Sequence, residues 1–309
     1  MRTGTGWAVA AATWLAATAC GTASRPAGQN PSPMVEHARE HRRLDTLPPA
    51  GDRFAIAGLL PRPVVVYVPP RAAGAPSPAL VVHFNGTAYV GMHAAAAQER
   101  PAVVAAVHLG AGSGVYQEAF RDASLLHRIR QAVADSLAAR SGAPVRFGRT
   151  VVSGFSAGYG AIRAILENAD AAASVDGVLL LDGLHVSYIP DRTPLASGGT
   201  LDTARLDAFV RFARQAAAGE GAMLVTHSEI FPGTFASTTE TADYLLRRLA
   251  LRRTPVLEWG PVGMQLLSTA GTGRLAVLGF AGNTAPDHVD HYHGMPEFLA
   301  RLLALGDEP

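Results

Sequence analysis

Thr150-Val151-Val152-Ser153-Gly154-Phe155-Ser156-Ala157-Gly158-Tyr159-Gly160 joins a β-branched run to a helix-forming segment that continues to Asn168. At its centre is the pattern G-x-S-x-G. In a chain with 32 glycines that pattern alone is weak, and it gains meaning from the strand before it and the helix after it. The chain must pass from strand to helix within a few residues, which strains the backbone at Ser156. Side chains at positions 154 and 158 would collide where strand and helix nearly touch, so both are glycine. Gly160 adds a further close-packing position. The turn holds the Ser156 hydroxyl clear of the sheet, and the Ala157 N–H at the helix start points where an oxyanion would develop. A buried serine in an ordinary packing turn is the other reading of the same residues.

Outward from this turn, short apolar runs alternate with longer Ala/Leu/Arg segments. Strands are predicted at Val64–Val68, Leu80–Phe84, Val103–Val107, Thr150–Val152, Val178–Leu181, Met223–Val225 and Leu275–Leu278. Phe120, Leu125, Ile129 and Val133 recur at helical spacing and predict a helix over Tyr116–Arg140. Further helices are expected at Ala157–Asn168, Leu201–Ala218, Thr238–Leu251 and Pro296–Leu305. The alternation implies an α/β fold, a three-layer α/β/α sandwich around a mainly parallel sheet. Val178–Leu181 is too apolar for a half-exposed strand and suits the sheet centre. No internal repeat is visible, and residues 52–309 are expected to form one domain. Between Asp182 and Met223 there is room for one helix and one loop, so no large lid is expected. The apolar stretch 252–273, with Trp259, Pro261, Met264 and Leu266, is expected to wall a pocket or to fill core.

In open α/β sheets, ligands bind beyond the carboxyl ends of the strands. Asn85, Ser113, Ser156, Asp182, Ser228 and the histidines after Phe280 all fall there. With its elbow and this order of parts, the stretch from about residue 52 to residue 305 resembles the α/β-hydrolase superfamily; no narrower family signature is present. The resemblance implies a serine nucleophile, an acid and a histidine in that chain order. The histidine is expected in Asp287-His288-Val289-Asp290-His291-Tyr292-His293, with His288 favoured over His291 and both over His293. For the acid, Asp182 is favoured, as in pancreatic-type lipases, and Glu240 and Glu229 remain open. Glu240 also fits a capping box with Ser237. His83-Phe84-Asn85-Gly86-Thr87 resembles the H-G-G type loop with one glycine kept. That likeness implies a second oxyanion donor from the backbone around Gly86 and Thr87, with Asn85 as a side-chain helper. The superfamily implies hydrolysis of a small-molecule or polymeric carboxylic ester through an acyl-enzyme, with no cofactor. A peptidase or amidase would use the same triad, and a non-catalytic surface protein on this scaffold is a third reading. The histidine cluster lacks any H-E-x-x-H or related spacing, so no metal is expected.

Hydrophobic residues make up 48% of the 309 and charged residues 17%, enough for one large core. All 26 basic residues are arginine, scattered among 25 acids for a net charge of +1, so no basic stripe suggests nucleic acid. Residues 1–19 read as a signal peptide: Arg2, the apolar run Trp7–Ala17, and small residues ending at Ala19. Cys20, the single cysteine, stands where a lipoprotein would be acylated, in an A-T-A-C box with Ala17 where leucine is usual. Plain secretion with the same cut is the alternative. Residues 20–51 are read as a tether, its Pro/Ser/Gly-rich start flexible, and any membrane contact is expected only through the lipid. Expected locations are therefore a periplasmic or cell-surface membrane, or the exterior if Cys20 is not acylated.

Overall fold

The computed structural model of the chain describes residues 40–306. The stretch expected to be a signal peptide, Cys20 and the expected tether as far as residue 39 lie outside the described residues. Twelve strands are formed: β1 (Asp52–Ile56), β2 (Val64–Val68), β3 (Ala79–Phe84), β4 (Ala102–Val107), β5 (Arg149–Phe155), β6 (Gly177–Leu181), β7 (Tyr188–Ile189), β8 (Thr200–Leu201), β9 (Ala222–His227), β10 (Thr254–Trp259), β11 (Gln265–Thr272) and β12 (Leu275–Phe280). The helices are α1 (Ala88–Ala96), α2 (Ser113–Phe120), α3 (Leu125–Ser141), α4 (Tyr159–Glu167), α5 (Ala169–Ala172), α6 (Asp207–Ala217), α7 (Thr238–Arg248), α8 (Ala285–His293) and α9 (Met295–Leu305).

Ten strands build one sheet in the order β1-β2-β4-β3-β5-β6-β9-β12-β11-β10, while β7 and β8 pair separately. The six from β4 to β12 run parallel, and the flanking pairs are antiparallel. The parallel strands are buried on both faces, which is why they are continuous apolar runs. In β3, Leu80, Val82 and Phe84 enter a core shared with Phe120, Ile129, Ile162, Phe209 and Leu245 of α2, α3, α4, α6 and α7. Val81 points the other way, into a second core with Val90 of α1 and Phe298 and Leu299 of α9. The result is the expected three-layer α/β/α sandwich, with the carboxyl ends of β3, β4, β5, β6, β9 and β12 along one edge.

Several elements differ from the sequence expectation. The helix expected over Tyr116–Arg140 is two helices, α2 and α3. Between them Asp122 Oδ1 accepts the Ser124 N–H at 3.0 Å and the Ser124 hydroxyl at 2.7 Å, a side-chain turn that competes with helical bonding. Leu201 belongs to β8, and α6 begins only at Asp207, after a 3-10 turn over Thr203–Leu206. The stretch 252–273 is largely a hairpin, β10 and β11, at the sheet edge. Its Met264 and Leu266 are buried, whereas Trp259 is 70% exposed on the outermost strand, where it lines a surface pocket with Arg42, Val262 and Glu297. The β10–β11 register shifts between Pro255 and Glu258. Residues 41–47, expected in the tether, lie against α8 through hydrogen bonds from His41, Arg43 and Leu44, and against α1 through those His93 donates to the Asp45 and Leu47 carbonyls.

Candidate active site

The elbow is built as the glycine pattern requires. After β5, Ser156 sits at φ +48°, in a region that L-residues other than glycine rarely adopt, and opens a 3-10 turn that continues into α4. A Cβ at Gly158 would lie 2.2 Å from the Phe84 carbonyl oxygen, and one at Gly160 would lie 2.2 Å from the Ser113 carbonyl oxygen. Gly154 is hemmed in by the backbone of Gly158 at 2.9 Å. Ser156 is half-buried. As the second residue of the turn, Ala157 has an N–H with no intrahelical acceptor.

Asp182 follows β6, the strand beside β5. A Cβ at Gly183 would meet Ser156 N at 2.8 Å and Ser156 O at 2.7 Å, so the end of β6 lies against the serine backbone. The Asp182 carboxylate is 2% exposed and fully engaged. Its Oδ1 accepts the Ser228 N–H at 2.9 Å and the Thr238 hydroxyl at 2.5 Å. Its Oδ2 accepts the Ser228 hydroxyl at 2.8 Å and His288 Nδ1 at 2.7 Å. Burial pushes this carboxyl up, but the neighbouring His291 charge, the His288 bond and charge, and the Thr238 bond outweigh it and hold it well below the ordinary carboxylate range. An ionised Asp182 can only accept, so the His288 proton is on Nδ1 and Nε2 keeps its lone pair. The His288 ring lies over Phe155, the residue before the serine, with centroids 4.6 Å apart. Among the described residues the Ser156 hydroxyl makes no hydrogen bond to His288. Such contacts are often long in unliganded sites and close with substrate.

The loop after β3 is braced rather than open. Asn85 donates through Nδ2 to the Phe155 carbonyl at 3.1 Å and accepts the Tyr116 hydroxyl at 3.1 Å, so its side chain ties the loop to β5 instead of reaching towards an oxyanion. The Gly86 N–H leans on His108 Nδ1 at 3.4 Å. Gly86 is at φ +112°, and a Cβ there would strike the Tyr292 ring at 2.4 Å. Tyr292 stacks on Phe155 at 4.8 Å, and its hydroxyl donates to the Thr87 carbonyl, joining α8 to this loop. Thr87 is exposed at the start of α1.

No protein-family model matches the chain, and no curated protein matches it. Among solved structures, the esterase LipW from Mycobacterium marinum is similar over 84% of this chain and 81% of its own, at 18% identity and a TM-score of 0.45. A protein designated FAE is similar over 85% of this chain and 95% of its own, at 14% identity and a TM-score of 0.49.

The other candidates are engaged elsewhere. Glu240 closes a capping box with Ser237 at the start of α7, and its Oε2 also accepts the Tyr188 hydroxyl at 2.8 Å. Glu229 is fastened to Gly282 through its backbone N–H at 2.9 Å and its carboxylate at 3.3 Å. His291 is buried with Nδ1 at 2.8 Å from Thr226 Oγ1. His293 accepts the Leu44 N–H at 3.0 Å. His83 donates to the Asn85 carbonyl at 2.8 Å, and His227 accepts from Arg253 at 2.7 Å. His41, Asp287 and Asp290 bring metal-type ligand atoms within 4.8 Å of one another, but the Arg43 guanidinium already pairs with Asp290 there.

Two partners of the acid escape a reading of the sequence. Thr238 looks only like a helix start, and it reaches Asp182 because α7 packs beside β9. Ser228 is visible as a strand-end residue without its purpose. Beside the elbow, Tyr159 meets His185 edge-on at 5.7 Å, and His185 meets Phe235 at 5.1 Å. Phe235 is 41% exposed and so presents an apolar ring to solvent beside this pair.

Proposed function

We propose that this chain is an exported serine hydrolase that cleaves carboxylic esters, with Ser156 as nucleophile, His288 as general base and Asp182 as the orienting acid. The observation that carries the reading is the 2.7 Å pair between buried Asp182 and part-exposed His288, beside a serine at φ +48°. Ser156 Oγ attacks the ester carbonyl while His288 Nε2 takes its proton. The resulting oxyanion is held by the Ala157 N–H and by the backbone at Gly86 and Thr87. His288 then returns the proton to the leaving alcohol, and water repeats the sequence in reverse on the acyl-enzyme. Asp182 stays charged and stabilises the imidazolium in both halves. No cofactor enters these steps.

Export belongs to the same proposal: cleavage after Ala19 and acylation of Cys20 would hold the domain on a membrane by a lipid. Palmitate should label the wild type and not Cys20→Ser; release of unlabelled protein would leave plain secretion.

The catalytic reading is tested with a fluorophosphonate probe and a panel of esters and amides, on protein starting near residue 34. Ser156 should carry the label, and Ser156→Ala should lose both labelling and hydrolysis while keeping its circular dichroism. Labelling at Ser113 or Ser228 would overturn the assignment.

A further inference from the structure

The nine-residue helix that carries His288 is too short to hold its own direction, so its contacts set it. One face looks at the strand ends: His288 binds Asp182 and His291 binds Thr226. Pro286, Asp290 and His293, at i, i+4 and i+7, share the opposite face. Each of them is held by the segment 41–47. Asp290, 0% exposed, accepts His41 Nδ1 at 2.8 Å and pairs with the Arg43 guanidinium. Arg43 Nη2 donates to the Pro286 carbonyl at 3.1 Å, and the Leu44 N–H donates to His293 at 3.0 Å. The segment then crosses to α1, where His93 Nε2 donates to the carbonyls of Asp45 at 2.9 Å and Leu47 at 3.1 Å. Helix α1 begins directly after Asn85-Gly86-Thr87, the loop that Tyr292 of α8 fastens.

We infer that residues 41–47 are a positioning strap for the active site. Arg43 and His41, acting through Asp290, hold α8 so that His288 stays in register with Ser156. The turn of the strap onto His93 does the same for the oxyanion loop. Neither Arg43 nor His41 touches the reacting atoms. The strap rests on the serine-hydrolase reading for its catalytic consequence, but not for its geometry. Removing Arg43 takes the guanidinium from a buried carboxylate and loosens the outer face of the helix, leaving it only the His41 and Leu44 contacts from the strap. A displacement of about 1 Å at a base can cost on the order of 100-fold in rate without altering the groups that bind substrate.

The test compares the full mature chain with Arg43→Ala, Arg43→Lys and the double variant Arg43→Ala with Asp290→Asn. The double variant removes the Arg43–Asp290 fastening without leaving a buried charge, and it serves if the single one fails to fold. With p-nitrophenyl acetate, kcat should fall at least about 10-fold while KM moves less than about 3-fold, and the fluorophosphonate labelling rate should fall with kcat. Arg43→Lys should recover part of the rate, since an ammonium can pair with Asp290 but cannot span to Pro286 as the guanidinium does. Amide hydrogen exchange in 285–293 should quicken in the Ala variants. A folded Ala variant with wild-type kcat, or a loss carried by KM alone, overturns the strap. If the wild type neither labels nor hydrolyses, the hydrolase reading fails by itself. Exchange then decides the strap: faster exchange in 285–293 upholds it, and unchanged exchange refutes it.

Discussion

Asp182 shows how much of a site one side chain can organise. Its two oxygens take hydrogen bonds from β9, α7 and α8, so a single carboxylate at the end of β6 ties together three elements distant in sequence. Converting it to the amide places an NH2 where only acceptors fit and releases the His288 tautomer. Asp182→Asn should therefore lose roughly 1,000-fold or more in kcat, on the precedent of the trypsin aspartate, whereas Glu240→Gln and Glu229→Gln should lose far less. Comparable losses in Glu240→Gln would sink the assignment. The residues of the proposed triad were legible because each stands at a predicted strand end or just after one. The choice among acids was not, because Ser228 and Thr238 become partners of Asp182 only through packing. For Asn85 likewise, its place in the loop is visible in sequence, but its bonds to Phe155 and Tyr116 are not.

At the scale of elements, α8 was the least legible part of the site. No helix was expected over Ala285–His293; its Pro286 is tolerated in the first turn, where the missing N–H would have no helical partner. The signal that was present is Thr284 with Asp287: the threonine accepts the Asp287 N–H, and the carboxylate answers to the Thr284 N–H at 3.0 Å. Thr284→Ala should cost about 1 kcal/mol in denaturant unfolding, the usual size for a lost cap. A stability change within error would mean that the strap and the strand ends hold the helix without its cap. The split between α2 and α3 was hidden in the same way, by an Asp–Ser bond that a hydrophobic period does not register.

Across the whole molecule, neutral buried histidines set the response to acid. Burial, and for His227 and His293 nearby arginines, lowers His83, His227 and His293 to about 4 from an ordinary 6.5. Between those values the unfolded chain takes up protons that the fold refuses, so their contribution is complete above 6.5 and is lost as pH falls towards 4. Asp182, held low, adds a loss only further down, below its ordinary value of 3.8. Tm should accordingly decline steadily from pH 7 to pH 4, and a flat Tm over that range would refute buried neutral imidazoles. The six parallel strands were plain in sequence as apolar runs, whereas β1, β10 and β11 were not, because half-exposed edges carry mixed residues. The outermost of these edges has a bearing on how copies of the protein meet. An open strand is a ready template on which another chain can add, and β10 also shows Leu257 and Trp259 to solvent. Pro255 has no N–H to offer, and the register shift beside it bends the row of carbonyls and amides, so one sheet cannot continue into the next. Crowded copies of the molecule are thus kept from growing into a common fibre by a defect placed where the sheet would otherwise go on.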